Sequence, residues 1–226
     1  HDDLSDFLTA VQNGSIDNNW GNPGPDDDVQ PDQINFSIMA PGTIFTMAGE
    51  QYRYLENQGG GNHLIILNDP IRHVSFNTQN DHINTWYDSL ELVVQARVQR
   101  VSDDFITGSV ASEDIVWQGQ ENWIPDNLNN FPEVASDVTQ VDNSGTPRAF
   151  ALSLADVTRL SGPGRAFSNL EQRPGANQGW WLLRTPSSAN NPWVVHMASG
   201  HLLGDAMPMW NSTGNGGTRP ALIVRQ

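Results

Sequence analysis

The residues with the most varied side-chain chemistry lie near the C-terminus, within a stretch rich in Gly, Ser and Asn. Aromatic, imidazole, thioether, carboxylate and amide groups occur together there: Asn190, Asn191, Trp193, His196, His201, Asp205, Met207, Met209, Trp210 and Asn211. Rigid rings supply contact area at little entropic cost, and small polar groups adapt their hydrogen bonds. This pattern is typical of a shallow binding face. In the alternative interpretation, which is favoured for Trp180, Trp181 and Met197, the Trp and Met side chains fill the core beneath the loops.

The same region contains too few ligands for a transition-metal site. His196 and His201 are separated by a predicted strand end and turn, and no carboxylate completes a three-ligand set. The absence of Cys excludes thiolate sites. The loops Asp126–Asn130 and Asp142–Asn143 carry oxygen ligands suited to a structural Ca²⁺, although without an EF-hand spacing. We therefore predict no cofactor and leave only a structural Ca²⁺ open.

Catalytic arrangements are poorly represented. There is no Cys nucleophile and no Gly-x-Ser-x-Gly elbow for a serine hydrolase. A glycosidase needs two carboxylates facing each other across a cleft, and acidic loops supply candidates such as Glu113, Asp114, Glu121 and Glu133 by chance. We predict that the chain is not an enzyme, with a carbohydrate-active enzyme as the weakest alternative.

The charge balance narrows the range of partners. The 226 residues carry a formal net charge of −15, and all eleven basic residues are Arg. Nucleic acid and anionic membranes would be repelled by such a chain. No apolar run reaches the length of a membrane span, so we predict no membrane insertion. An acidic, polar chain without Cys fits a secreted or surface protein that needs no oxidative folding.

Composition divides the chain into two parts. Residues 1–33 include the Pro-, Gly- and Asp-rich stretch Gly21–Asp28, which cannot bury a core, and are interpreted as a linker or N-terminal extension. Residues 34–226 are predicted to form one domain. The first residue is His1, which predicts that upstream domains of the same surface protein precede this piece.

The first half of the predicted domain combines short strands with one long helix. Strands are indicated at Ile34–Met39, Thr43–Met47, Gln51–Glu56 and His63–Leu67. Consecutive Gly residues before Asn62 predict a hairpin turn leading into the last of these strands. An apolar face through Trp86, Leu90 and Val94 predicts a helix over Trp86–Val101, with Thr85 as its N-cap.

The second half is predicted to begin with a loop over residues 102–147. A second helix starts at Ser153, where Asp156 completes a capping box, and ends at Gly162. Short strands follow at Trp180–Leu183, Trp193–Met197, His201–Leu203 and Ala221–Val224. Two helices among short, irregular strands predict a loop-rich α+β domain.

Six segments in this order carry a resemblance to a known family. They are Tyr52–Glu56, Leu64–Leu67, Thr85-Trp86 with Ser89, Phe150–Ser153, Trp180–Pro186 and Gly217–Val224. Together they resemble the DUF6273 family of bacterial and phage surface domains, from about Ile34 to Gln226. That family is similar to the C-type-lectin-like group, which includes formylglycine-generating-enzyme-type domains and the variable proteins of diversity-generating retroelements. One departure is Val94–Val101, which stands where the family usually has a Leu-Asn-containing segment.

The resemblance implies a C-type-lectin-like fold with two helices, a small twisted antiparallel sheet and a ligand surface built from the loops after the second helix. It implies an extracellular adhesin or ligand-binding domain that binds a protein or glycan on another cell surface through residues 190–215. The expected ligand-binding residues are Asn190, Asn191, Trp193, His196, His201, Asp205, Trp210 and Asn211. Retroelement diversification of the Asn, His and Asp positions is one hypothesis. A structural or assembly module without its own ligand is the alternative.

Overall fold

The computed structural model describes residues 24–119, 122–175, 180–188, 191–204 and 216–226. Its largest sheet has six strands in the order β1-β2-β3-β4-β13-β8. These strands are β1 (Asp28–Val29), β2 (Ile44–Met47), β3 (Glu50–Gly59), β4 (Asn62–Leu67), β8 (Ala149–Phe150) and β13 (Ala221–Arg225). All neighbours are antiparallel except β1 and β2. Strand β1 thus pairs within the sheet although it lies in the segment that the sequence assigns to a linker.

The predicted hairpin turn between β3 and β4 is confirmed. Gly60 and Gly61 have φ angles of 60° and 77°, a region that glycine adopts without steric cost. Strand β13 then pairs with β4, so that Ile223 lies opposite Leu64. The C-terminal residue returns to the same turn, where the Gln226 N–H donates to the Gly61 carbonyl at 2.9 Å.

A second sheet has five strands in the order β11-β10-β9-β12-β5. They are β5 (Ile71–Arg72), β9 (Trp181–Ser188), β10 (Asn191–Val195), β11 (Leu202–Leu203) and β12 (Gly217–Thr218). A separate two-stranded ribbon pairs β6 (Trp117–Gln118) with β7 (Ile124–Pro125). The strands predicted in the C-terminal segment are therefore present, with somewhat different bounds.

Four short α-helices lie within the described residues. They are α1 (Gln79–Ser89), α2 (Leu92–Gln95), α3 (Pro132–Ser136) and α4 (Leu154–Arg159). The predicted start of α4 is confirmed, because Ser153 Oγ accepts from the Asp156 N–H and Asp156 Oδ2 accepts from the Ser153 N–H, both at 3.0 Å. This reciprocal pair is a capping box. No helix in the described part of the chain is long and apolar enough to cross a bilayer.

The single helix predicted over residues 86–101 is wrong. Helix α1 ends at Ser89, Leu90 is extended with ψ of 151°, and Thr85 lies inside α1 rather than at its N-cap. Buried positions recur at Trp86, Leu90, Val94 and Val98, which is helical spacing. The chain buries these positions with a short helix, a break and a second turn, so the same periodicity arises without one continuous helix.

The strand predicted over Ile34–Met39 is also wrong. Residues Phe36–Ile38 form a 3₁₀ turn, because the Asn35 side chain accepts a hydrogen bond from the Ser37 N–H at 3.2 Å. An Asn side chain that bonds to the backbone two residues later stabilises a turn in place of a strand. Ile34, Phe36 and Met39 are nevertheless buried, so their apolar pattern is satisfied by packing.

The core occupies both faces of the six-stranded sheet. Alternate side chains of β4 point to opposite faces, with Leu64 and Ile66 in one cluster and Ile65 and Leu67 in the other. Helix α1 covers one face, while α4 and β9 pack on the other. The mixed α+β, loop-rich class expected from the sequence is confirmed at this level. This arrangement brings the turn after β10 close to Arg53 in β3 and to Asn68, the residue after β4.

Candidate functional site

The structure separates the predicted ligand-binding residues. Asn190, Asp205, Trp210 and Asn211 lie outside the described residues. Asn191 begins β10 and His196 follows its end, so these residues are about 16 Å apart along an extended strand. His196 and His201 are brought together at the two ends of one turn. Among the predicted ligand-binding residues that the structure describes, only His196 and His201 lie next to each other.

Trp193 lies in the core instead of on the surface. Its side chain has no solvent exposure, and its indole N–H donates to the Val110 carbonyl at 2.9 Å. Its ring packs edge-on against Trp117, with centroids 6.0 Å apart. Its expected role as a surface contact is therefore not compatible with its position. Met197 shows the opposite difference, because the sequence predicts it in a strand that contributes to the core and it is 40% exposed in the turn.

The turn between β10 and β11 is closed by its own backbone and by an imidazole. The His196 N–H donates to the His201 carbonyl at 2.8 Å, and the Gly200 N–H donates to the His196 carbonyl at 3.0 Å. His196 Nδ1 accepts from the Ser199 N–H at 3.2 Å. Burial and the nearby charge of His201 lower the pKa of His196. The neutral ring therefore accepts a hydrogen bond from within the turn and helps to close it. We call residues 196–201 the 196–201 turn.

A buried arginine anchors this turn from below. Arg173 has no solvent exposure, and its Nη1 donates to the Gly200 carbonyl at 3.2 Å. Its Nε donates to Ser161 Oγ at 3.1 Å, and its Nη2 donates to the Trp123 carbonyl. The guanidinium also lies 4.3 Å from the centroid of the Trp123 ring. Burial lowers the pKa of Arg173 to about 9, so the group remains protonated at neutral pH.

The backbone contacts of Gly200 explain why the turn needs glycine. Its φ is 70°, and a Cβ atom at this position would lie 1.8 Å from the Leu170 carbonyl oxygen. The turn therefore packs directly on the 3₁₀ segment Leu170–Gln172. Contacts with the Arg173 guanidinium and with the Leu170 carbonyl hold the 196–201 turn in place.

One wall of a surface pocket is formed by this turn. The pocket has a volume of about 440 Å³. Its walls include Ile44 of β2, Arg53 of β3, Asn68 after β4, Glu171 of the 3₁₀ segment, and Met197 and Ala198 of the turn. Arg53, Asn68 and Glu171 are not among the site residues predicted from the sequence. These three residues reach the pocket because strand pairing and packing bring distant segments of the chain together. No local sequence pattern marks them as pocket residues.

A separate cluster of ionisable groups lies beneath α4. Arg184 pairs with Asp137 Oδ1 through Nη2 and with Asp156 Oδ2 through Nη1, both at 3.0 Å. Burial raises the pKa of Asp137 to about 6, against the hydrogen bonds and charge of Arg184. Burial alone would raise the pKa of Asp156 as well, but Arg184 and the backbone N–H groups of Ser153 and Thr139 lower it.

These carboxylates have a structural role. Asp156 accepts from Thr139 N–H and Oγ1, both at 3.0 Å, in addition to its capping box with Ser153. Both carboxylates share one guanidinium and are buried. Their lone pairs are occupied by protein donors. The cluster joins β9, through Arg184, to α4, through Asp156.

Metal ligands do not cluster in the described ranges, where no group of three or more His, Asp or Glu residues could hold an ion. In one of the loops considered for Ca²⁺, the Asp142 carboxylate accepts from the N–H and hydroxyl of Ser144 at 2.9 and 2.6 Å. This side chain thus closes its own turn.

Comparisons of the chain with protein-family models, with curated proteins and with solved structures find no match. The resemblance to the DUF6273 family accordingly stays a prediction. The geometry of the 196–201 turn and its pocket therefore carries the functional argument.

Proposed function

We propose that the chain is a non-catalytic ligand-binding domain displayed on a bacterial or phage surface, and that the 196–201 turn with its adjoining pocket is the binding site. The observation that carries this proposal is the combination of a fixed backbone with an exposed apolar side chain. Met197 is 40% exposed, while the residues on either side of it in the turn are held by Arg173, Leu170 and the closing contacts of His196.

A fixed turn suits recognition because binding then requires little ordering of the loop. Each mobile side chain or loop that must be immobilised weakens the observed affinity. Methionine adapts its shape to different apolar partners at an interface. The imidazole of His201, half-buried at the end of the same turn, adds a group that donates or accepts hydrogen bonds. The site thus offers one apolar contact and adaptable polar contacts side by side.

The surface location and the kind of partner are also part of the proposal. An acidic chain without Cys, rich in uncharged polar residues, is suited to secretion, and the family resemblance points to the same setting. The proposed partner is a protein or glycan on another cell surface. Retroelement diversification would be supported if the coding DNA differed from a nearby template repeat only at template adenines. Differences scattered over other bases would reject it.

A binding experiment tests the site. The domain is applied to arrays of glycans and bacterial or host surface proteins, and any partner is then titrated against a Met197→Ser, His201→Ala double variant. We expect the variant to lose about tenfold or more in affinity, because about 1.4 kcal/mol of lost contact has this effect. A Leu92→Ser variant is the matched control, since Leu92 is 81% exposed on α2.

The outcomes separate the alternatives. Equal affinity of the double variant and the unmodified domain, with both folded by circular dichroism, would overturn the assignment of the site. Absence of any partner on the arrays would favour a structural or assembly module.

A further inference from the structure

The pocket beside the 196–201 turn contains two buried polar side chains with unused hydrogen-bonding capacity. Arg53 is 8% exposed, and its Nη1 donates to the Gly42 carbonyl at 2.8 Å while its buried Nε has no partner. Asn68 is 1% exposed, and its Oδ1 has no partner. A buried donor or acceptor without a partner costs free energy, so each such group calls for an explanation.

The orientation of the Asn68 amide follows from its neighbours. Its Nδ2 donates to Gln51 Oε1 at 2.6 Å, while Gln51 Nε2 faces the Pro25 carbonyl at 3.5 Å. Reversing the Asn68 amide would place two acceptors against each other unless Gln51 also reversed and lost its contact with Pro25. Asn68 therefore offers an oxygen acceptor, whereas Arg53 offers N–H donors.

Strand pairing places Arg53 and Asn68 as diagonal neighbours on one face of the β3–β4 pair. Arg53 lies opposite Ile66 in the β3–β4 pair, and Asn68 is two residues beyond Ile66. The Asn68 N–H continues the pairing by donating to the Gln51 carbonyl at 2.8 Å. Diagonal neighbours of this kind lie about 7–8 Å apart on one face of a sheet. A small polar head group can span that distance.

The charges around the pocket select the kind of head group. Arg53 forms no ion pair with any described carboxylate. Glu171 supplies an exposed carboxylate at the rim. A simple anion would meet the Glu171 charge and the Asn68 oxygen, and a simple cation would meet Arg53. A ligand that carries both charges satisfies all three groups.

We propose that this pocket binds the zwitterionic head group of a small α-amino acid. Its carboxylate accepts from the Arg53 guanidinium, and its ammonium donates to Asn68 Oδ1 and to the Glu171 carboxylate. A zwitterion has no net charge, so the overall charge of −15 does not repel it. Ile44 and Met197 provide an apolar wall for the ligand side chain, which favours residues such as leucine or methionine.

The pocket walls argue against a sugar as the ligand of the pocket itself, and for the proposed surface partner they favour a protein over a glycan. None of the described lining residues is aromatic, so the pocket has no ring on which a sugar face could stack. The inference rests on the proposed function in treating this pocket as a ligand site. It goes further by naming the ligand chemistry.

Calorimetric titration with L-leucine tests the head group directly. Two analogues, 4-methylpentanoate and isopentylamine, keep the leucine side chain and carry only one of the two charges. We expect leucine to bind and each analogue to bind about tenfold to a hundredfold more weakly, because a hydrogen bond to a charged group contributes about 1.5–3 kcal/mol. Equal affinities for the three compounds, or no leucine binding at millimolar concentration, would overturn the proposal.

Variants test the assigned roles. Arg53→Gln should weaken leucine binding by about tenfold or more, and Arg53→Lys, which retains the charge, should recover part of the loss. Because Arg53 is buried, Glu171→Gln at the exposed rim provides a test that does not depend on the core. It should weaken binding about two- to fivefold, as expected for an exposed ion pair. Glu113→Gln, which removes another exposed carboxylate, should leave binding unchanged.

Failure of this inference differs from failure of the proposed function. If leucine does not bind but an array partner depends on Met197 and His201, only the amino-acid ligand is rejected. If leucine binds and no array partner exists, only the surface-adhesion proposal is rejected. Binding of N-acetylglucosamine that Arg53→Gln abolishes, without leucine binding, would replace the amino-acid ligand by a sugar.

Discussion

The guanidinium of Arg173 and the carbonyl of Gly200 are joined by a buried hydrogen bond of 3.2 Å. The same guanidinium also contacts Ser161 and the loop carbonyls of Asn122 and Trp123, and the Arg173 carbonyl accepts from Trp181 Nε1 at 3.1 Å. The side chain of Arg173 thus connects the 196–201 turn to Ser161 and to the 122–123 loop, and its backbone carbonyl adds the contact with Trp181. Loss of this side chain would remove the donor to the Gly200 and Trp123 carbonyls, whereas the Asn122 carbonyl would still accept from the Leu202 N–H.

We therefore expect Arg173→Met to lower the free energy of unfolding by about 3 kcal/mol or more, because unsatisfied buried carbonyls add to the lost bonds. Urea denaturation followed by tryptophan fluorescence measures this change. Arg165→Met is the control, since Arg165 is exposed, and it should change stability by less than about 0.5 kcal/mol. Similar losses in both variants would contradict the anchoring role of Arg173.

A pair of glycine substitutions separates backbone strain from steric contact. Gly164 and Gly200 have φ angles of 74° and 70°, but a Cβ at Gly164 meets no atom within 4 Å whereas one at Gly200 meets the Leu170 carbonyl oxygen. Gly164→Ala should cost about 1 kcal/mol from the left-handed backbone alone. Gly200→Ala should cost about 2 kcal/mol more, because the turn must move away from Leu170. Equal costs, measured by denaturant unfolding, would show that the turn is not tightly packed.

The pKa of Asp137 predicts a pH dependence of stability. Burial raises this pKa from 3.8 to about 6, so between these values the folded protein holds a proton that the unfolded chain has released. The contribution of Asp137 to the free energy of unfolding is therefore greatest below pH 3.8 and falls as the pH rises from 3.8 to about 6. We expect a change of about 1–2 kcal/mol, because Asp137 borders an open surface pocket and its charge is therefore partly screened by solvent.

Asp137→Asn should remove this slope. Urea unfolding at several pH values between about 4 and 6.5 measures it. Asp126→Asn, at an exposed position, should retain the slope of the unmodified protein. An unchanged slope in Asp137→Asn would mean that other groups produce it. Asp156 acts in the opposite direction. Because its pKa in the folded protein is lowered from 3.8, its contribution to stability is lost as the pH falls below that value.

Trp193 and Trp117 provide a further matched pair. The two rings contact each other, but only Trp193 is fully buried and donates its indole N–H to the Val110 carbonyl. Trp193→Phe should lower the free energy of unfolding by about 2–3 kcal/mol, through the lost volume and the unsatisfied carbonyl. Trp117→Phe should cost about 1 kcal/mol or less. A negligible cost for Trp193→Phe in urea unfolding would restore the case for Trp193 as a surface residue.

Features governed by neighbouring residues could be predicted from the sequence. The capping box needs only Ser153 and Asp156, which lie within one turn of helix, and the β3–β4 hairpin needs only its run of glycines. Both involve hydrogen bonds or φ angles that a few consecutive residues determine. The short C-terminal strands could be predicted for the same reason, since alternating apolar and polar residues and the turn residues between them mark each strand locally.

The end of α1 could not be predicted in this way, because helical spacing of buried residues continues through Val98 although the backbone leaves the helix at Leu90. Packing against the sheet determines that break. Similarly, the burial of Trp193 and the exposure of Met197 depend on where β10 ends and which elements cover it. Residue type alone favoured the opposite assignment.

By itself, the sequence determined the α+β class, the α4 cap, the β3–β4 hairpin and most strands, because these depend on short-range patterns. The tertiary structure alone brought Arg53, Asn68, Glu171 and Met197 around one pocket. These residues come from β3, the end of β4, a 3₁₀ segment and the turn after β10, and only the pairing register of the sheets and the buried Arg173 contacts place them together. The physical reason is that a site built from distant segments depends on long-range packing, which no local window of sequence contains.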